Sequence, residues 1–303
     1  MSHFREQKVS CTMPNVSMAV LTAPPEQVTL QSRRDAMAPA QRSRTVAWRQ
    51  TQLLSWLVPV VLVVAWELFA RLGKIPPYIL PAPTKVVATG VALIEDGTLL
   101  PDMGISLLRA AAGFAIGSFI GFAFGTAVGF SRIAGVLLDR TILMLRAIPF
   151  LAVLPLVIVW LGIGEGAKIF LVAFGVAFPI YMNTVLGIRQ VDPKLVELGR
   201  VTGLSNWQLI RRIILPGALP SILNGVRYAL ATAWLALVVA ETIAASSGIG
   251  FLAMDAREFL RTDVIVLVII IYAVIGVVAD SLARLMERRL LAWHPNYASE
   301  VRR

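Results

Sequence analysis

Cysteine, histidine and charge are all scarce in this 303-residue chain, and each shortage closes off a class of function. The single cysteine, Cys11, permits no intramolecular disulfide. The two histidines, His3 and His294, stand near opposite ends and leave no zinc or haem constellation. A phosphate loop is also missing. The run Gly162-Ile163-Gly164-Glu165-Gly166 has glycines but no following Lys-Ser/Thr, and it does not fit G-x-G-x-x-G. If ATP drives this chain, another chain binds the ATP and its magnesium, and no cofactor belongs to this one. Charged residues make up 15% of the chain against 57% hydrophobic, and mean hydropathy is +0.75. A soluble domain of this length needs far more charged surface, so the class is an all-α polytopic membrane protein. The net charge of +10 does not point to nucleic acid, because the basic residues gather in the tails and between apolar runs.

Residues 1–50 are polar, with scattered prolines and Arg33, Arg34, Arg42, Arg44 and Arg49, and read as a disordered tail. Val16 to Thr22 is too short for the apolar core of a signal peptide. Residues 51–303 form the membrane domain, with six spans: Leu53–Leu72, Ile105–Phe130, Val136–Leu161, Ala167–Ile188, Ile222–Ala244 and Val264–Leu285. Gly73 to Asp102 is too rich in proline to continue a helix, and Pro149 and Pro155 should bend the third span. Gly113, Gly117, Gly121, Gly125 and Gly129 recur every four residues on the second span. That ridge lets another helix approach backbone to backbone; packing inside the chain is favoured over a subunit interface or pore lining. Six spans put both termini on one side. The 131–132 turn, the 189–227 segment and both tails carry most of the Lys and Arg, so these are cytoplasmic and the chain is a multi-pass protein of the cytoplasmic membrane.

The loop at 189–220 is the one long, charged, punctuated segment between apolar runs. Asp192 N-caps a helix with Pro193 at its first position, and Gly203 closes it. Ser205 and Gln208 make a capping box for a second helix, expected to end near Pro216. Leu195, Leu198 and Val201, then Trp207, Ile210 and Ile214, give each helix one greasy side. Two readings stand on these residues alone, a docking surface and an amphipathic loop resting on the bilayer.

The spacing from Glu197 through Gly203 and Ile213 to Leu215-Pro216 resembles the cytoplasmic coupling motif of permease subunits of binding-protein-dependent ABC importers. Small alanines usually follow the glutamate in that family; here Leu198 and Gly199 do. Further stretches, among them MLRAIPFLAVLPLVIVWLGI and AETIAASSGIGFLAMDAREFLRTD, are similar to the sulfonate, taurine and nitrate branch, closest to the aliphatic sulfonate subunits, over roughly 51–298. The resemblance implies a homodimer of six-span subunits and no enzymatic activity in this chain. It implies two cytoplasmic ATP-binding subunits and an extracytoplasmic substrate-binding protein as partners. Glu197, Leu198, Gly199, Gly203, Leu204, Ile213, Leu215 and Pro216 would then form the ATPase-coupling loop.

Within the spans, Asn183, Thr184, Tyr228, Thr232, Glu241 and Thr242 are the candidate pathway or gate groups. A carboxylate as deep as Glu241 is costly without partners; a structural ion pair is favoured and a gate near the outer mouth is the alternative. Arg227 reads as a snorkelling side chain, and Arg211 and Arg212 as positive-inside anchors. Taurine, nitrate or another small organic compound is the alternative cargo to a sulfonate. A secondary transporter, which would show inverted repeats, and a membrane enzyme are the competing classes.

Overall fold

The computed structural model describes residues 57–293, so the expected tail over 1–50 lies outside the described residues, as does the start of the first expected span. The chain divides into two units, Met1–Leu62 and Val63–Arg303. Of the first, residues 57–62 are described and are helical. The second holds the elements that follow. They are α1 (63–71), α2 (Pro83–Glu95), α3 (Leu99–Phe130), α4 (Arg132–Ala147), α5 (Phe150–Leu161), α6 (Glu165–Arg189), α7 (Pro193–Val201), α8 (Asn206–Leu209), a π-helical turn (Ile210–Ile214), α9 (Leu215–Ala244), α10 (Ile249–Glu258) and α11 (Thr262–Leu290). Among the described residues four helical stretches are long and apolar enough to cross a membrane, or five if α4 and α5 count as one broken span.

The central helix is α6, packed against α3 on one side and α9 on another. The glycine ridge explains the first contact. A Cβ at Gly117 would lie 2.4 Å from the Ala173 carbonyl oxygen and 2.9 Å from its Cα; at Gly121 it would lie 2.4 Å from the Ala177 oxygen. At Gly113, Gly125 and Gly129 the nearest atoms are side-chain atoms of Val172, Thr184 and Ile188, at 2.5, 2.7 and 2.7 Å. The ridge is therefore an intramolecular seam, as expected, in which two backbones approach where no side chain fits. The α6–α9 contact uses alanines instead, with Ala229, Ala233 and Ala236 buried against Val172, Val176 and Ile180. A second core joins α2, α10 and α11 through Val86, Ile249, Leu252, Val264 and Val268.

The structure departs from expectation at four places, three of them with a local physical cause. Helix α2 arises inside the proline-rich stretch because Pro83 sits in its first turn, where the missing N–H is not needed. Helix α10, in the segment between the last two spans, was likewise unread. At Ile148-Pro149 the third span is broken rather than merely bent: α4 and the body of α5 meet at 103°. Ile148 is extended, as a residue before proline prefers, while Pro155 stays inside α5. Lastly, the second helix of the loop does not end near Pro216. It passes through the π turn directly into α9, giving one helical stretch over Asn206–Ile243. The wider turn absorbs the clash a proline ring makes with the preceding turn, so Pro216 starts α9 instead of stopping α8.

At the end of α10 the Leu260 N–H bonds to the Arg257 oxygen and the Arg261 N–H to the Ala256 oxygen, closing a Schellman turn on a leucine with φ +53°. A side chain in that conformation costs about 1 kcal/mol. Leu260 is exposed. Leu260→Gly should therefore raise stability by about 1 kcal/mol, read as a higher midpoint in thermal unfolding of the purified protein.

Candidate functional site

The loop is built by local capping. Asp192 Oδ1 accepts from the Lys194 N–H at 2.9 Å and Pro193 opens α7. Gly203 has φ +81°; its N–H bonds to the Arg200 oxygen and that of Leu204 to the Gly199 oxygen, both at 3.0 Å, a complete Schellman close. The Thr202 hydroxyl reaches the Leu198 and Gly199 oxygens. Ser205 and Gln208 then exchange the two bonds of a capping box. Asp192→Ala should cost about 1 kcal/mol of loop stability, visible as faster amide exchange over α7.

The turn folds on Gly199. A Cβ there would meet Ile213 Cδ1 at 2.7 Å, Leu209 Cδ1 at 2.8 Å and Leu204 Cδ1 at 3.4 Å. The tips of these branched side chains would have to shift to admit a Cβ. Glu197 is exposed. So is the greasy side of α7: Leu195, Leu198 and Val201 face outward, with Val201 85% exposed, and Trp207 beside them is 69% exposed. Arg200, Arg211 and Arg212 are exposed as well. The turn thus exposes both apolar and charged side chains on a backbone whose ends are capped.

The six candidate pathway residues fall in separate places. Asn183 donates to the Pro179 oxygen at 2.9 Å, and its Oδ1 accepts from Asn224 at 3.3 Å. Tyr228 is exposed and lines a groove of 520 Å³ with Asn224, Arg227 and Asp280. Thr184 is fully buried in the α3–α6 seam, its hydroxyl without a partner. Thr232 and Thr242 spend their hydroxyls on the Tyr228 and Val239 oxygens of their own helix. Arg227 pairs at 2.7 Å with Asp280 of α11, which also accepts from Arg284, where α9 and α11 pack together.

Glu241 sits at the other end of α9 and is 2% exposed. Arg109 of α3 pairs with it at 2.8 Å, the Ser106 hydroxyl lies 2.7 Å from Oε1, and the Gly250 N–H donates at 3.0 Å. The ion-pair reading of Glu241 is thus the observed one. Its partners had not been singled out in the sequence. Arg109 also holds Glu165, at the start of α6, and Ser247; Lys168 pairs with Glu165 at 3.0 Å. Asp102 accepts from the Gly248 N–H at 2.7 Å. Charged groups within apolar helices were the available signal. This cluster ties together α3, α6, α9 and the start of α10, at the end of the helices opposite the turn between α7 and α8.

Comparison with known proteins adds the family. The model for "Binding-protein-dependent transport system inner membrane component" matches residues 113–292, which includes the whole turn. The chain is 55% identical over 242 residues to the putative aliphatic sulfonates transport permease protein SsuC of Escherichia coli, covering 80% of this chain and 92% of that one. It is 36% identical over 262 residues to the taurine transport system permease protein TauC of Escherichia coli, covering 83% and 95%. A crystal structure of an amino acid ABC transporter with histidines shares the fold, with a TM-score of 0.54 at 20% identity over 63% of this chain and 92% of that one. On the extent of the family match and the identity to these permeases, this chain belongs to the inner membrane components of binding-protein-dependent transport systems.

Proposed function

We propose that the chain is the permease subunit of an ATP-driven importer carrying a small organic anion, an aliphatic sulfonate, across the cytoplasmic membrane. The observation that carries the mechanism is the outward apolar face of a turn held rigid by its caps. Leu195, Leu198, Val201 and Trp207 are exposed as a set, and Glu197 stands beside them. A patch of that kind on a rigid turn suits a groove of a protein partner. The partner is a cytoplasmic ATP-binding subunit that binds ATP and magnesium, and two copies of the permease meet two such subunits. Both termini lie on the cytoplasmic side and the substrate-binding protein meets the opposite face.

The turn runs into α9 without a break, and about 40 Å along that helix lies Glu241. Movement of the docked turn as the ATPases close therefore reaches the far end of the spans through one continuous element. This supports alternating access, in which nucleotide binding biases two states of the bundle. The sulfonate assignment rests on the greater identity to the sulfonate permease; taurine is the second reading, supported by the identity to TauC.

Gly203→Ile places a β-branched side chain at φ +81°, where it is strained by about 1–2 kcal/mol or more. Val201→Asp leaves the backbone alone and puts a charge in the apolar face. Both variants should insert in the membrane but retain little ATP-binding subunit in a pull-down. Retention at the wild-type level by both would sink the docking model.

A further inference from the structure

Two carboxylates share the Arg109 guanidinium, and they differ in one respect. The Glu241 side chain is 1% exposed, whereas that of Glu165 is 58% exposed. The cations they meet are both buried: Arg109 is 3% and Lys168 4% exposed. Glu165 Oε1 accepts from Arg109 Nη2 at 2.7 Å and from Lys168 Nζ at 3.0 Å, while Oε2 accepts from Arg109 Nε. Among the described residues Lys168 has no other hydrogen-bond partner, so two of its three N–H groups are unspent. Glu241 is committed elsewhere, to Arg109, Ser106 and the Gly250 N–H.

We propose that Arg109 and Lys168 form an anion site for a monoanionic sulfonate headgroup, occupied in this state by the displaceable carboxylate of Glu165. This rests on the cargo reading above. A purely structural pair would have its acid buried, because a buried cation needs a partner that stays in place. Without Glu165 the cluster keeps two buried cations, Arg109 and Lys168, against the committed carboxylate of Glu241 and, at the Gly248 N–H, that of Asp102, so its charge is one unit more positive than with Glu165 in place. Glu165 is on the rim, 58% exposed, and two buried cations release it only when another anion takes its place. A monoanion that displaces it restores that charge and can accept from the guanidinium fork and the ammonium together. A dianion overshoots by one charge and loses more hydration on entry, so sulfate is excluded where a sulfonate is admitted. The site lies at the end opposite the coupling turn, where a substrate delivered from outside arrives first.

The test uses the purified full-length permease with its ATP-binding partner, and the thermal midpoint is followed against ethanesulfonate at constant ionic strength. Ethanesulfonate should raise the midpoint of the wild type, and sulfate should not. Glu165→Gln removes the competing charge and should shift the dependence to concentrations lower by about tenfold, the effect of one exposed charge-assisted contact. Lys168→Gln should lose the response and Lys168→Arg should keep it. A structural role alone would lower the midpoint in the Glu165 and Lys168 variants while leaving the anion dependence unchanged. That result overturns the site, as does an equal response to sulfate. A separate arm measures ethanesulfonate uptake by wild-type vesicles with ATPase and binding protein. Absence of uptake there would contradict the cargo reading, while the binding series still decides the site.

Discussion

Gly117→Val should be severely destabilising, with a cost of about 3 kcal/mol or more and little monodisperse protein recovered. The reason lies in what the new side chain meets. Its Cβ alone would stand 2.4 Å from the Ala173 oxygen and 2.9 Å from the Ala173 Cα, both backbone atoms of α6. Backbone at the centre of a packed helix cannot step aside as a side-chain tip can, so the α3–α6 seam must open. In a membrane that seam has no hydrophobic effect to hold it and depends on close contact. Gly104, on the same helix with nothing within 4 Å, is the internal control. Gly104→Ala should be neutral or slightly stabilising by helix propensity, up to about 1 kcal/mol. Thermal midpoints and recovery after size-exclusion chromatography check both; an equal response from the two would mean that the seam is not a stability determinant.

The second large effect is expected at Arg109. Arg109→Leu leaves Glu241 buried without its cation, a loss of about 3–5 kcal/mol. The same change leaves Glu165 paired with Lys168 alone, which costs little because that carboxylate is already largely exposed. Glu241→Gln in the Arg109→Leu background removes the stranded charge and should recover part of the loss. The pair is therefore strongly non-additive, by more than about 1 kcal/mol in a double-mutant cycle. Gly248 belongs to the same unit: at φ +110° its Cβ would fall 2.6 Å from Glu241 Oε1 and 2.8 Å from Arg109 Nη1. Additive midpoints in the cycle would show that the two side chains do not act as a pair.

What the sequence disclosed follows the range of the interactions. Every cap of the α7–α8 turn was legible, because Asp192, Gly203, Ser205 and Gln208 act on backbone within a few residues of themselves. The long spans were legible from hydropathy, and the four-residue recurrence of glycine announced a seam. Its partner helix did not appear in the pattern, since contact between Gly117 and Ala173 is a tertiary fact. Helix α2 was obscured by Pro83, which was read as a breaker although it stands in a first turn. The run past Pro216 was hidden because a π turn has no signature in residue type. The Arg109 cluster was the largest gap. Its ion pairs join residues 56 and 132 positions apart, and no local spacing carries that information. The outward direction of the greasy face of α7 was equally invisible, because periodicity gives an amphipathic helix its two sides without saying which one is covered.

On the proposed function, this permease should move an organic anion only with an ATP-binding subunit at its cytoplasmic turn and a binding protein at its outer face. The most direct measurement is uptake of radiolabelled ethanesulfonate into vesicles reconstituted with the permease, with each partner present or omitted. Uptake should require ATP, the ATP-binding subunit and the binding protein together, and should be lost with Val201→Asp in an otherwise complete system. Accumulation by vesicles containing the permease alone, driven by an imposed ion gradient, would contradict it.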